Sequence, residues 1–266
     1  MSTVDLTPRP VPPPPGPLDA ARDTLALVGR SVRRSTRQLD TLLLAVLLPV
    51  VLLLMFVYVF GGAISTGMEY VDFVVPAIVL LTAGYGAATT AVDVASDMTN
   101  GIVDRFRSMP VPAGAVLTGH VVASLARNAV STALVVAVAL LVGFDPAASA
   151  GDWLAAAGVL VVYVLALTWV AVAIGLVASG PEAASGFTFV ILFLPYVSSA
   201  FVPVGTMPGV LETVARLNPV TPTSDALRAL LLGMPVGSTV LVALAWWAGV
   251  LVVARVASAV LFRRQR

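Results

Sequence analysis

The sequence predicts an all-α integral membrane protein with six transmembrane helices. Of its 266 residues, 59% are hydrophobic and 11% are charged, whereas roughly a quarter of the residues in a soluble domain are charged. Six segments are long and apolar enough to cross a bilayer, whose hydrocarbon core requires about 20 helical residues. The predicted spans cover residues 41–60, 71–92, 114–143, 153–178, 185–204 and 238–262.

Residues 1–17 differ in composition from the membrane segments. They contain seven prolines and no apolar run, so they do not have the basic start and apolar core of a signal peptide. Such a stretch is typical of a disordered or polyproline cytoplasmic tail. A solvated tail is the simpler interpretation, and recruitment of a proline-binding partner is the alternative. Residues 18–266 are then a single transmembrane domain.

A basic amphipathic helix is predicted ahead of the first span. Apolar residues recur at three- and four-residue spacing between Leu18 and Val32, and arginines occupy the other faces. A helix of this kind lies on anionic lipid headgroups, although a helix packed on a partner would show the same pattern. The arginines assigned to the interface are Arg30, Arg33, Arg34 and Arg37.

A charged stretch, residues 93–112, separates the second and third spans. As a helix it would place Ile102, Phe106 and Met109 at positions i, i+4 and i+7, on one apolar stripe. Pro110 and the next proline would end it. We expect this short amphipathic helix to dock onto a protein outside the membrane.

Two further features concern helix packing. The second span carries small residues at four-residue spacing, which permit close approach of another helix; these are Ala83, Ala87 and Ala91, flanked by Gly84 and Ala88. The segment 205–235 is punctuated by proline and glycine, and it is predicted to hold two short amphipathic helices, residues 210–217 and 224–232.

Arginine counts predict the orientation. With both termini inside, the cytoplasmic segments carry eleven arginines and the outer segments carry two, Arg216 and Arg228. This asymmetry agrees with the positive-inside rule. It places residues 93–112 in the cytoplasm and residues 205–235 outside.

Several chemistries are excluded by missing residue types. All 15 basic residues are arginines, so the Walker-type loop, which requires a lysine, is absent and no catalytic residue is assigned. There is no cysteine, and His120 is the single histidine, so no metal site is predicted. We expect His120 to be structural or exposed, and Arg127 to lie near a helix end beside an acid or snorkelling. No nucleic-acid motif is present.

Two stretches resemble a known family. SDMTNGIVDRFRSMPV (96–111), followed by GAVLTGHVVASLARN (114–128), is similar to the cytoplasmic loop of ABC-type-2 transporter permeases, especially the daunorubicin/doxorubicin-resistance exporters. FVPVGTMPGVLETVARLNPVTPTSDALRALLLG (201–233) resembles the family's segment between its last two spans. The likeness extends over the chain after about residue 20.

The resemblance implies a specific assembly. Two ATPase subunits, which hold ATP and Mg²⁺, would bind a dimer of permeases in a bacterial cytoplasmic membrane, and this chain would carry no cofactor. The second permease would be another copy or a related chain. Contacts to the ATPase would fall on Asp97, Gly101, Ile102, Asp104, Arg105, Phe106 and Arg107. A re-entrant outer gate would involve Pro203, Met207, Pro208, Asn218 and Pro219.

The leading functional hypothesis is therefore the membrane subunit of an ATP-driven exporter of a hydrophobic drug, antibiotic or lipid-like molecule. A secondary carrier or channel would need no ATPase, but such a carrier usually has an acid or histidine relay at depth, and no Asp or Glu is expected in mid-span. Two more classes stay open: a membrane-embedded enzyme, and an assembly or immunity protein that moves no substrate.

Overall fold

The computed structural model describes residues 39–64, 66–101 and 114–264, and within them all regular structure is helical. The interfacial segment 18–38 and residues 102–113 lie outside this range. The eight α-helices are α1 (Leu39–Met55), α2 (Tyr70–Thr99), α3 (Gly114–Val142), α4 (Ala150–Val177), α5 (Pro181–Phe193), α6 (Gly209–Leu217), α7 (Val220–Leu231) and α8 (Thr239–Arg264). A π-helical turn, Phe56–Phe60, extends α1, and 3₁₀ turns follow α5 and precede α6.

Four of these helices, α2, α3, α4 and α8, are long and apolar enough to cross a membrane. They correspond to the second, third, fourth and sixth predicted spans. The first and fifth spans correspond to shorter apolar helices, Val46–Phe60 and Pro181–Val197, the latter including a 3₁₀ turn. The predicted helices of the 205–235 segment correspond to α6 and α7.

The fifth span differs most from its prediction of 185–204. The helix begins earlier, at Pro181, because proline suits the first helical position, where its missing N–H is not needed. The α-helix ends at Phe193 and tightens into a 3₁₀ turn, Leu194–Val197, that contains Pro195. Proline cannot donate the next helical hydrogen bond, so the chain from residue 198 onward is no longer a straight span.

The charged stretch after the second span also differs from its prediction. Helix α2 continues to Thr99, so Asp93 and Asp97 belong to α2, and a single helix over residues 93–112 is wrong. The helix ends because Gly101 has a φ of +68°, a left-handed conformation that glycine adopts without strain. The apolar stripe of Ile102, Phe106 and Met109 lies outside the described residues and stays a prediction.

Helix α2 lies at the centre of the described bundle and contacts α1, α3, α4, α5 and α7. In its most apolar stretch, 72% of the residues are buried, compared with 22% in α3 and 17% in α8. Ala83, Ala87 and Ala91 are fully buried, which confirms the predicted packing face. Helices α3 and α8 instead expose many large apolar side chains, as expected for surfaces that face lipid or another membrane subunit.

Helix α4 packs closely against α2 and starts with a well-formed cap. Ser149 Oγ accepts a hydrogen bond from Asp152 N, and the Asp152 carboxylate accepts one from Ser149 N at 2.9 Å. This reciprocal arrangement is a capping box. Further along, a Cβ added to Gly175 would lie 2.7 Å from the Ala91 carbonyl oxygen, so the absence of a side chain permits the α2–α4 contact.

We predict that Gly175→Ala destabilises the bundle, because the new methyl group would force α4 away from α2 at a cost of roughly 1–3 kcal/mol. Gly158→Ala is the matched control in the same helix, since its Cβ would meet nothing within 4 Å. Thermal unfolding of the purified protein in detergent should show a lower transition temperature for Gly175→Ala only. Equal transitions for the two variants would contradict the close-packing role.

Candidate functional site

Polar side chains, most of them buried, form two clusters in the described bundle. We call the first the α2–α3 seam, which consists of Asp93, Asp97, His120, Ser124, Arg127 and Asn128. We call the second the Arg228 cluster, which consists of Ser199, Thr221, Asp225 and Arg228. Polar groups between apolar helices are costly unless they are paired within the protein, so both clusters mark places where the sequence maintains specific contacts.

The first contact of the seam, between Asp97 and His120, joins the helices that flank residues 100–113. Asp97 is only 4% exposed, and its Oδ2 lies 3.1 Å from His120 Nε2. His120 is itself largely buried. His120 was expected to be either structural or exposed. In the structure it is a structural residue that links α3 to the end of α2.

An ion pair lies further along the same two helices. Arg127 Nη1 is 3.3 Å from Asp93 Oδ2, and Arg127 Nη2 donates to the hydroxyl groups of Thr89 and Thr90, each at 3.3 Å. The expected neighbouring acid is thus Asp93. Arg127 lies near the middle of α3 rather than at its end. An Asp–His contact and an Asp–Arg ion pair therefore connect α2 and α3 side by side.

Deeper in the seam, the contacts are uncharged. Ser124 Oγ lies 3.1 Å from Thr168 Oγ1 of α4, and Asn128 Nδ2 donates to the Ser124 carbonyl at 3.0 Å. The Asn128 amide occupies the space that a side chain at Gly86 would fill, since a Cβ there would be 2.3 Å from Asn128 Oδ1. Gly86 therefore leaves the room in which the Asn128 amide packs between α2 and α3.

Arg228 is the centre of the second cluster, and it is 6% exposed. Its guanidinium donates to the carbonyl oxygens of Phe73 and Ser199 at 3.2 and 3.1 Å, and to Asp225 Oδ1 at 2.9 Å. It also lies over the Phe73 ring, 3.9 Å from the centroid, in a cation–π contact. Arg228 of α7 thereby connects the segment after α5 to the beginning of α2.

The predicted outer-gate residues lie on the turns around α6. Asn218 joins α6 to α7, and its Nδ2 donates to the carbonyls of Leu194 and Val197 at 2.8 and 2.6 Å. Pro203 and Met207 flank the 3₁₀ turn Val204–Thr206. Pro208 immediately precedes α6, and Pro219 immediately precedes α7. Asn218 thus satisfies two carbonyl groups of the 3₁₀ turn that follows α5. A gating role for these five residues stays a prediction.

The predicted coupling residues are described only in part. Asp97 is buried against His120, and Gly101 terminates α2. The remaining coupling residues, Ile102, Asp104, Arg105, Phe106 and Arg107, lie outside the described residues, as do Arg30, Arg33, Arg34 and Arg37 of the interfacial segment. In the part of the chain that the structure describes, no cluster of three or more metal-binding side chains is found.

Four helices of spanning length, together with exposed apolar faces and internally paired polar groups, define a multi-pass membrane protein. The family model described as "ABC-2 type transporter" matches residues 22–232, and the chain belongs to this family. The match includes the charged stretch, the α2–α3 seam and the Arg228 cluster.

Curated relatives agree with this assignment. The chain is 34% identical over 193 residues to "Daunorubicin resistance ABC transporter permease protein DrrB1" of Streptomyces coeruleorubidus, an alignment covering 71% of this chain and 67% of the relative. It is 26% identical over 256 residues to "Probable doxorubicin resistance ABC transporter permease protein DrrC" of Mycobacterium tuberculosis, covering 94% and 93% of the two chains.

We predict that Arg228→Lys lowers the stability of the purified protein, because an ammonium group cannot reach the same set of acceptors. A hydrogen bond to a charged group contributes about 1.5–3 kcal/mol, and lysine would lose at least one of those that Arg228 makes. Arg216→Lys is the control, since Arg216 is 64% exposed and pairs with Glu212 within α6. Thermal unfolding in detergent should separate the two variants by several degrees, and similar transitions would show that the Arg228 cluster is dispensable.

Proposed function

We propose that this chain is the permease subunit of an ATP-driven exporter that moves a hydrophobic drug, antibiotic or lipid-like molecule out across a bacterial cytoplasmic membrane. The observation that carries the proposal is the family match over residues 22–232. The resistance named for the relatives supports the substrate class. The lack of lysine in the sequence supports ATP hydrolysis on another chain, because the Walker loop needs that residue.

In the proposed assembly, two permeases bind two ATPase subunits that hold ATP and Mg²⁺. The second permease is a copy of this chain or a related one. Six crossings with both termini in the cytoplasm would result if α1 with its π-helical turn and α5 with its 3₁₀ turn each traverse the bilayer. The arginine asymmetry supports this orientation, including Arg263 and Arg264 at the end of α8.

The α2–α3 seam suggests how movement of the ATPases reaches the membrane. Residues 100–113 connect α2 to α3, and the Asp97–His120 and Asp93–Arg127 pairs hold these two helices together beside the connection. A force applied to the connection would therefore move α2 and α3 as one body. Closure of the ATPases would then shift the permeases between inward- and outward-facing states.

The proposed function predicts that Phe106→Asp uncouples transport, because it introduces a charge into the apolar stripe expected to dock on the ATPase. The assay is ATP-dependent accumulation of a fluorescent hydrophobic drug in inverted vesicles, with ATPase co-purification as a second readout. Ser108→Asp is the control, since it adds the same charge off the stripe. Transport without any ATPase, driven by a proton gradient, would instead favour a secondary carrier.

A second prediction concerns Asp97, which was expected to touch the ATPase but is buried against His120. If it acts through the seam, Asp97→Asn and His120→Gln should each reduce ATP-driven transport, and the double variant should be no worse than the single ones. ATPase co-purification should be unchanged in all three. Loss of ATPase binding in Asp97→Asn alone would instead assign Asp97 to the docking surface.

A further inference from the structure

The arginines of the described helices differ in whether an acid accompanies them. Three of them form an ion pair with an aspartate or a glutamate; these are Arg127, Arg216 and Arg228. Arg263 and Arg264 are exposed in the last turn of α8, where cations are usual. Arg255 of α8 differs from both groups, because within the residues that the structure describes its guanidinium has neither an ion pair nor a hydrogen bond.

Arg255 lies in the apolar part of α8. It comes before the last residue of the helix, Arg264, by roughly 13 Å along the axis. Its side chain is exposed, and so are those of the valines beside it, Val252, Val253 and Val256. A charge at membrane depth is costly and is normally paired, so Arg255 requires a counter-charge.

The guanidinium of Arg255 rests against α4. Its Cζ lies 5.2 Å from the centroid of the Trp169 ring, in a cation–π contact. The Ser258 hydroxyl donates to the Trp169 carbonyl at 3.3 Å, which holds α8 beside α4 at this level. The indole therefore orients Arg255, but it supplies no negative charge.

No acid on the described helices around Trp169 is placed to pair with Arg255. Helices α3 and α8 contain neither aspartate nor glutamate. The one acid of α4 is Asp152, in its first turn and roughly 25 Å along the helix from Trp169. Asp93 and Asp97 of α2 each have a partner on α3. The counter-charge therefore has to come from outside these helices.

We infer that Arg255, held against Trp169, binds the phosphate group of an anionic phospholipid in the leaflet at the end of α8. A guanidinium presents its N–H donors in a planar fork that matches phosphate oxygens, and the exposed valines around it suit acyl chains. Ala259 is exposed one turn closer to the helix end, where its small side chain obstructs little of the surface. The inference involves no ATP, ATPase or cargo, so it stands apart from the proposed function.

The test is native mass spectrometry of the purified full-length chain in detergent, with equal amounts of phosphatidylglycerol and phosphatidylcholine that carry the same acyl chains. The first lipid bound by the wild-type protein should be phosphatidylglycerol, with a preference of about five-fold, as expected for one arginine beside an anionic lipid. Arg255→Gln should remove this preference, whereas Arg255→Lys, which keeps the charge, should retain part of it. Arg263→Gln is the matched control, because it removes the same charge from the exposed last turn of α8 and should retain the preference.

A second pair of variants blocks the site without removing Arg255. Ala259→Glu places a carboxylate at position i+4 from Arg255, where it would pair with the guanidinium in place of the phosphate. This variant should lose the preference, and Ala259→Gln, which has the same size and no charge, should keep it. No preference in the wild-type protein, equal losses in Arg255→Gln and Arg263→Gln, or equal preferences in the two Ala259 variants would overturn the inference.

Discussion

Inside a bilayer, a donor or acceptor has no water to bind, so polar groups between the helices must be paired within the protein. In the described bundle, helix α2 takes part in several of these pairings. Its carbonyl oxygens accept hydrogen bonds from Arg228 at Phe73 and from the Tyr163 hydroxyl at Leu80, the latter at 3.3 Å. Its carboxylates Asp93 and Asp97 pair with α3. The arrangement of the other helices depends on this central helix.

These contacts hold α2 at both ends. At its beginning, Arg228 connects it to α7 and to the chain after α5. At its far end, His120 and Arg127 connect it to α3. Between the two, the small residues of α2 let α4 approach closely, with Gly175 against the Ala91 carbonyl. A helix held in this way would move as a rigid element together with its partners, since bending it would separate Asp93, Asp97 and the Phe73 carbonyl from the side chains they contact.

Much of this fold could be predicted from the sequence, because hydropathy over about 20 residues reports directly on bilayer thickness. The spans that correspond to α3, α4 and α8 agree with the structure within a few residues. The extent of α2 was not predicted, because a hydropathy pattern treats Asp93 and Asp97 as the end of a span. Their partners lie 34 and 23 residues away in the chain. The one signal in the sequence was the four-residue spacing of these acids, which places both on one helix face.

The candidate site was harder to predict, because its contacts also join residues that are far apart in the sequence. Arg228 was recognised only as an outer arginine, although its i, i+3 neighbour Asp225 and the apolar residues around it indicate a buried helix. Its main acceptor, the Phe73 carbonyl, is 155 residues away and belongs to the backbone, so no side-chain pattern reveals it. The break in α5 depends on Pro195 in combination with Asn218, whose amide binds the carbonyls released there.

The described bundle has a groove of about 500 Å³ between α3 and α4. Helix α3 packs much more extensively on α2 than on α4, and the Asp97–His120 and Asp93–Arg127 contacts are both on the α2 side. The link from α3 to α4 within the seam is the uncharged contact between Ser124 and Thr168. A force on residues 100–113 would therefore move α3 together with α2 and change its separation from α4.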